Sequence, residues 1–304
     1  MKYDFKYKNE ENVITLCENA GVPFLQFRSL EECGVVTHGF STRMGGVSED
    51  IYASMNLSYT RGDKEEAVTE NFIRIAKALE VCPEDYVFSD QTHTTNIRVV
   101  TEEDRGKGFT KPRDYENIDG LVTNVKGLVL STFYADCVPL YFVDVKNKAI
   151  GLSHSGWKGT VGRMGKQTIL AMQEAFGTKP QDLVCAIGPS ICQDCYEVSE
   201  DVAFAFRDNF DNDDKKAYEY LKRYQEEITQ KDIANCLVYK KENNKYQLNL
   251  WYSNYRVFRD AGVPDSQISV TDICTCCNPK LLFSHRASKG MRGNLGAFMM
   301  IEHK

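Results

Sequence analysis

Histidine is scarce in this chain, with five in 304 residues and no His-x-His pair. A cluster of several copper ions needs many imidazoles held close together, so a multicopper oxidase centre is excluded by supply alone. No apolar run approaches the length that spans a bilayer, and the opening MKYDFKYKNEENV is too polar for a secretory signal. A cytoplasmic protein without membrane contact is expected. Basic residues are outnumbered, 37 Lys and Arg against 43 Asp and Glu, and the formal net charge of −6 argues against nucleic acid as a partner. Internal repeats, low-complexity segments and a clean linker are also missing. One α/β domain over residues 1–304, with an edge segment at 1–30 and a core from 31, is therefore simpler than two.

Cysteine, by contrast, is plentiful: eleven, an odd number. In a reducing compartment these are thiols or ligands rather than staples. Cys192-Gln-Asp-Cys195 and Cys274-Thr-Cys276-Cys277 look like metal knuckles that together furnish four thiolates. They lie about 80 residues apart, outside the spacings of common zinc modules, so a second, structural zinc site is not expected. Cys17, Cys82 and Cys236 show no spacing and read as packing residues.

The densest chemistry lies in residues 128–163. Two β-rich runs, Val138–Asp144 and Lys148–Ser153, flank the polar link Val145-Lys146-Asn147 and read as a hairpin. A two-residue loop at Val145-Lys146 sets Cys137 directly opposite His154, with Cβ atoms about 5 Å apart. A one-residue shift of the loop offsets the pair without separating it. A thiol and an imidazole at that distance suit either a shared metal ion or a nucleophile–base pair. The plainer alternative is a buried thiol and a satisfied core histidine.

Elsewhere the periodicities are ordinary. Strands are expected at Val35–Phe40, Tyr86–Phe88, Asn96–Val100, Asp119–Thr123, Leu128–Tyr134, Leu183–Ile187, Ile268–Ile273 and Ala297–Ile301. Amphipathic helices are expected over 64–80, with Asp63 as its cap, after Gly156 as far as Gly177, in the charged block 199–235, and around Leu248–Phe258. The glycine-rich loop holding Arg43, the helix start after His154, and the basic stretch Lys289–Gly293 are candidate pocket walls. Residues 101–118 form a charged loop long enough to act as a lid. A catalytic zinc takes three protein ligands, and spacing cannot choose the third from His38, His93 and His285.

The segments HGFSTRMGGVS, DQTHTTNI, DGLVTN, ADCVPLYFVD, SHSGWKGTVG, AIGPSI and FSHR run through most of the chain from residue 38 onward. They resemble the YfiH/PgeF family, also called the laccase-domain or multicopper polyphenol oxidase family. The resemblance implies a mixed-sheet α/β/α sandwich. It also implies a zinc site, with copper the other candidate metal, made of His93, Cys137 and His154. The implied activity is phosphorolysis of the purine nucleosides adenosine, inosine and methylthioadenosine, with deamination of adenosine; the implied partners are nucleosides and phosphate. Zinc would bring bound water near neutrality for attack on the purine, and cationic groups would hold phosphate. Arg43 and backbone N–H groups near Gly156 are expected to bind the anion, Gln91 and Asn56 to meet ribose or base, and Asp136 to act as acid or base or to orient a ligand. The C-terminal motif of relatives often reads Ser-Tyr-Arg-Arg-Asp-Gly; here it is Ser284-His285-Arg286-Ala287-Ser288-Lys289, leaving Arg286 as a substrate contact. The His-x-Glu deaminase signature is absent. The alternatives are a metal-free hydrolase or deamidase with Cys137 as nucleophile and His154 as base, a peptidoglycan-precursor editing role suggested by the PgeF name, and a non-catalytic module holding zinc with four protein ligands.

Overall fold

Every residue of strand Val138–Asp144 is buried, and its two faces serve different neighbours. Successive strand side chains point to opposite faces. Val138, Leu140 and Phe142 accordingly join one apolar cluster, while Tyr141 and Val143 join another. The same alternation appears in Leu295–Ile301, where Leu295, Ala297 and Met299 face one layer and Phe298 and Met300 the other. A strand apolar on both faces must lie between layers.

The computed structural model describes residues 3–9 and 11–303. Four residues of the expected domain, Met1, Lys2, Glu10 and Lys304, lie outside it. Two six-stranded mixed sheets dominate. One runs in the order Ile14–Asn19, Val22–Phe27, Val36–Ser41, Leu295–Ile301, Val129–Tyr134, Tyr86–Phe88; the other in the order Ile268–Val270, Leu183–Ile187, Val138–Asp144, Ala149–Ser155, Gly120–Thr123, Ile97–Val99. They pack face to face through Leu25, Phe40, Leu130, Tyr141, Ile150 and Leu152. Helix Glu65–Leu79 covers the outer face of the first sheet with Val68, Phe72 and Ile75. Helices Met164–Phe176 and Leu250–Asp260 cover the second with Met164, Ile169, Met172 and Phe258. The expected α/β/α sandwich is thus present, its β layer made of two sheets. A three-stranded sheet, Glu197–Val198, Tyr246–Leu248 and Val238–Lys240, lies beside the short helices of the charged block. Among the described residues no helix is long and apolar enough to cross a membrane.

Local chemistry corrects three expectations. The central hairpin pairs Pro139 with His154 and Asp144 with Ala149, so its register differs by two from the two-residue-loop pairing. The loop is longer because the Asp144 carboxylate accepts the Asn147 backbone N–H at 3.0 Å and its side-chain amide at 2.7 Å, closing a turn of its own. The helix after Gly156 breaks at Gly162-Arg163 into Trp157–Val161 and Met164–Phe176. Asp63 does not cap its helix: Lys64 is the N-cap residue, and the Asp63 carboxylate instead accepts from Ser48 and Asn56.

Phe142 is fully buried, with its ring edge-on to Phe258 at 5.2 Å. Phe142→Ala should cost about 3–5 kcal/mol in urea unfolding, whereas Val145→Ala on the exposed turn should change stability by less than about 0.5 kcal/mol.

Candidate active site

Three segments supply the site, and one buried carboxylate aligns two of them. Strand Ala149–Ser155 carries His154 near its end. Cys137 sits just before the paired strand Val138–Asp144. His93 lies in the loop between strands Tyr86–Phe88 and Ile97–Val99, with a positive φ of 67°. Asp119, fully buried beside strand Gly120–Thr123, accepts the backbone N–H groups of Thr92, His93 and Thr94 at 2.9–3.0 Å. It also pairs with His154 Nδ1 at 2.8 Å. With Nδ1 committed to a carboxylate, Nε2 of His154 is left for a ligand.

The ligating atoms of His93, Cys137 and His154 all lie within 4.8 Å of one another, with the Cys137 Sγ 3.9 Å from His93 Nε2. The two imidazole rings are 4.9 Å apart at 81°. One thiol and two imidazoles, one of them with its tautomer set by a carboxylate, suit a zinc-like ion with a position left open. Gly156 makes room for this cluster: a Cβ there would stand 2.9 Å from the His93 ring and 3.2 Å from the Cys137 sulfur.

Charge within the cluster is coupled. Burial alone would push the Cys137 thiol up, but the His154 charge and hydrogen bonds from both histidines outweigh it and hold the thiol at about 6. Burial would lower His154; the Cys137 thiolate and Asp119 reverse this and raise it to about 9. Asp119 is held below the ordinary carboxylate value, its burial outweighed by the bond to His154 and by the backbone N–H groups.

Two cavities meet at the cluster. The larger, about 910 Å³, is lined by His93, Cys137 and His154, by the aromatic rings of Phe109, Phe133 and Tyr134, and by Arg61, Arg113 and Arg292. The smaller, about 290 Å³, shares His93 and Cys137 and adds Trp157, Lys158, Tyr196 and Asp136. Arg292 is nearly buried, and its Nε has no partner among the described residues. Burial and the like charge of Arg61 push its guanidinium down to about 10.

The other residues singled out from sequence are placed differently. Arg43 stands away from both cavities, its guanidinium bound to the Ala53 and Pro279 carbonyls at 2.8 Å each and stacked over Phe283. Asn56 is fully buried and spends its amide on Asp63, Ser58 and the Asn294 N–H, thereby holding the segment that carries Arg292. Gln91 lines the large cavity but exchanges two hydrogen bonds of 2.7 Å with the Phe133 backbone. Asp136 lines the small cavity and accepts from Thr275 Oγ1 at 2.6 Å and the Arg286 N–H at 2.7 Å. The Arg286 guanidinium turns outward to the Glu197 carbonyl. His38 is a core histidine, accepting the Phe27 N–H at 2.8 Å, and burial pushes it down to about 3. His285 stands exposed, apart from the cluster. The loop 101–118 forms a wall of the large cavity through Phe109–Arg113, braced by the buried Asp104 with Arg98 and Lys107.

Asp119, Arg61 and Arg292 were not identified from sequence as site residues. Asp119 had a signal, a charged residue opening an otherwise apolar strand; Arg292 lies within the basic stretch Lys289–Gly293.

A fold of two packed mixed sheets with one thiol and two imidazoles at their rim defines a class. Residues 37–302 match the family model described as multi-copper polyphenol oxidoreductase laccase. The chain is 35% identical over 268 residues to the purine nucleoside phosphorylase YlmD of Bacillus subtilis, covering 87% of this chain and 88% of that one. It is 32% identical to the adenosine deaminase RL5 of an unknown prokaryotic organism, covering 81% and 87%. The crystal structure of the Bacillus licheniformis hypothetical protein YfiH superposes with a TM-score of 0.80 at 31% identity, covering 94% of this chain and 99% of that one. The protein belongs to this laccase-domain family. Its own five histidines, only two of them in the cluster, leave no basis for several copper ions.

Two outcomes follow. In metal-stripped protein, iodoacetamide should alkylate Cys137 at a rate that rises with pH through about 6 as the thiolate forms, and added zinc should suppress it; peptide mass spectrometry reads both. Asp119→Asn should weaken zinc binding by about 10–100-fold in a chelator competition, because the His154 tautomer is no longer fixed.

Proposed function

We propose that the protein is a zinc-dependent purine nucleoside phosphorylase acting on adenosine, inosine and methylthioadenosine, with adenosine deaminase activity. The observation that carries this reading is the joining of two unlike features in one cavity: the His93, Cys137 and His154 cluster, and a nearly buried arginine with an unsatisfied N–H beside a second arginine. Two like charges at close quarters are relieved by an anion between them, which suits inorganic phosphate. Phe109, Phe133 and Tyr134 offer apolar ring surface for a purine in the same cavity. Relatives named purine nucleoside phosphorylase and adenosine deaminase support the substrate class.

In this reading Arg61 and Arg292 hold phosphate against the ribose C1′, and the aromatic wall fixes the base. His93, Cys137 and His154 would hold the zinc, which supplies a Lewis acid for the water or substrate oxygen placed there. Asp119 holds a proton on His154 Nδ1, so Nε2 is the nitrogen that would give up its proton and ligate when a metal is bound.

A second reading has its own observation. Cys137, His154 and Asp119 also have the order of a thiol nucleophile, its base and the orienting carboxylate, with the thiol held at about 6. A metal-free hydrolase would use the same residues.

The deciding assay is adenosine turnover with and without phosphate by metal-analysed protein. Ribose 1-phosphate should appear only with phosphate, and His93→Ala should lose the metal of this cluster together with turnover, the latter by about 10²-fold or more. Arg292→Gln should raise the KM for phosphate by about tenfold or more. Full activity after chelation, abolished by alkylating Cys137, would select the thiol hydrolase instead.

A further inference from the structure

The two Cys-x-x-Cys segments, far apart in sequence, meet in the fold. Strands Leu183–Ile187 and Ile268–Val270 are parallel neighbours, with Cys185 opposite Ile268. Their pairing continues past both strand ends: the Thr271 N–H donates to the Ile187 carbonyl at 2.9 Å, and Ser190 bridges Cys274 in parallel. Both segments therefore leave the same end of the sheet, side by side. The sulfurs of Cys192, Cys195, Cys274 and Cys277 all lie within 4.8 Å of one another, and Cys195 and Cys277 are 3.5 Å apart. A zinc ion with Zn–S bonds of about 2.3 Å needs a tetrahedron of sulfurs about 3.8 Å on edge. The four thiols are gathered at nearly that size.

Backbone hydrogen bonds link the two turns. The Cys195 N–H donates to the Cys192 carbonyl at 3.1 Å, closing the first turn, and the Cys192 N–H donates across to Cys274 Sγ at 3.3 Å. That bond ties the first sulfur of one Cys-x-x-Cys turn to the backbone of the other. Cys192 and Cys274 are buried and Cys195 and Cys277 half-buried, so the space between them is shielded from solvent. All four are free thiols.

We propose that Cys192, Cys195, Cys274 and Cys277 bind one structural zinc ion as a closed four-thiolate site, separate from the His93, Cys137 and His154 cluster. Four thiols release their protons to solvent as the ion enters, and no redox change occurs. With four protein ligands there is no position for a reactant, so the role is mechanical. The clamp fastens the loop after Ile187 to the loop after Val270. The first carries Ile191 and Tyr196, which line the small cavity; the second carries Thr275, whose hydroxyl holds Asp136 at 2.6 Å beside Cys137. The ion would therefore brace one wall of the active site without touching a substrate.

The test is elemental analysis of protein purified under reducing conditions without chelator. Wild type should hold two zinc ions per chain. His93→Ala, which breaks the other cluster, should keep one. Combining His93→Ala with Cys195→Ser and Cys277→Ser should leave none; two thiols are replaced because Cys276, next to Cys195, is a spare donor. Should that variant fail to fold, His93→Ala protein loaded with cobalt decides: a four-thiolate site shows intense tetrahedral cobalt–thiolate absorption. His93→Ala protein without zinc, with iron in its place, or with these four cysteines titrating as accessible thiols in the native state would overturn the proposal. Because His93→Ala removes only the other cluster, loss of activity with retention of one zinc separates the two sites.

Discussion

A carboxylate buried without partners would lose its charge or unfold its surroundings. Asp119 keeps its charge because five donors converge on it: three successive backbone N–H groups from Thr92 to Thr94, the Thr94 hydroxyl and His154 Nδ1. This one group decides where two imidazoles stand. It pulls the loop after Tyr86–Phe88, an edge strand of the first sheet, onto the rim of the second, and it turns the ring of His154 toward Cys137. The positive φ at His93 is a conformation that a side chain seldom adopts unaided, and the bonds to Asp119 hold it. The Thr-His-Thr loop, the strand end and the sulfur are thus one unit built around a negative charge.

The same electrostatics serve both chemical readings of the site. A thiol stabilised as thiolate is a better nucleophile at neutral pH and also a better ligand for a divalent ion. What separates the readings lies outside the cluster, in the large cavity. Arg292 is nearly buried, its Nε lacks a partner among the described residues, and Arg61 lines the same cavity; this suits an anion, for which thiol hydrolysis of an amide has no need. Asn56 fixes the segment that carries this arginine, since its side-chain oxygen accepts the Asn294 N–H two residues beyond it.

Most strands and helices were legible because alternation and helical spacing report which side of an element is covered, and here nearly every element is covered on a predictable side. Register was less legible: the extra turn residues are recruited by Asp144 side-chain bonds that a pattern of apolar positions does not encode. Cys137 and His154 were visible from the hairpin, while His93 was reached through family resemblance, since no spacing connects a loop on one sheet to the rim of another. Arg43, Asn56 and Gln91 are polar residues in suggestive loops, but each is committed to the protein's own backbone or buried side chains. The paired Cys-x-x-Cys turns were visible but discounted on their spacing, and separation along the chain says little once two strands lie parallel and adjacent.

The two cavities that meet at the cluster have a consequence for ligand design. Cys137 and His93 form a partition between two chambers rather than the floor of one. A molecule in either chamber would meet the same thiol and imidazole. A two-headed inhibitor whose halves occupy both chambers would need a connector no longer than the thickness of that partition.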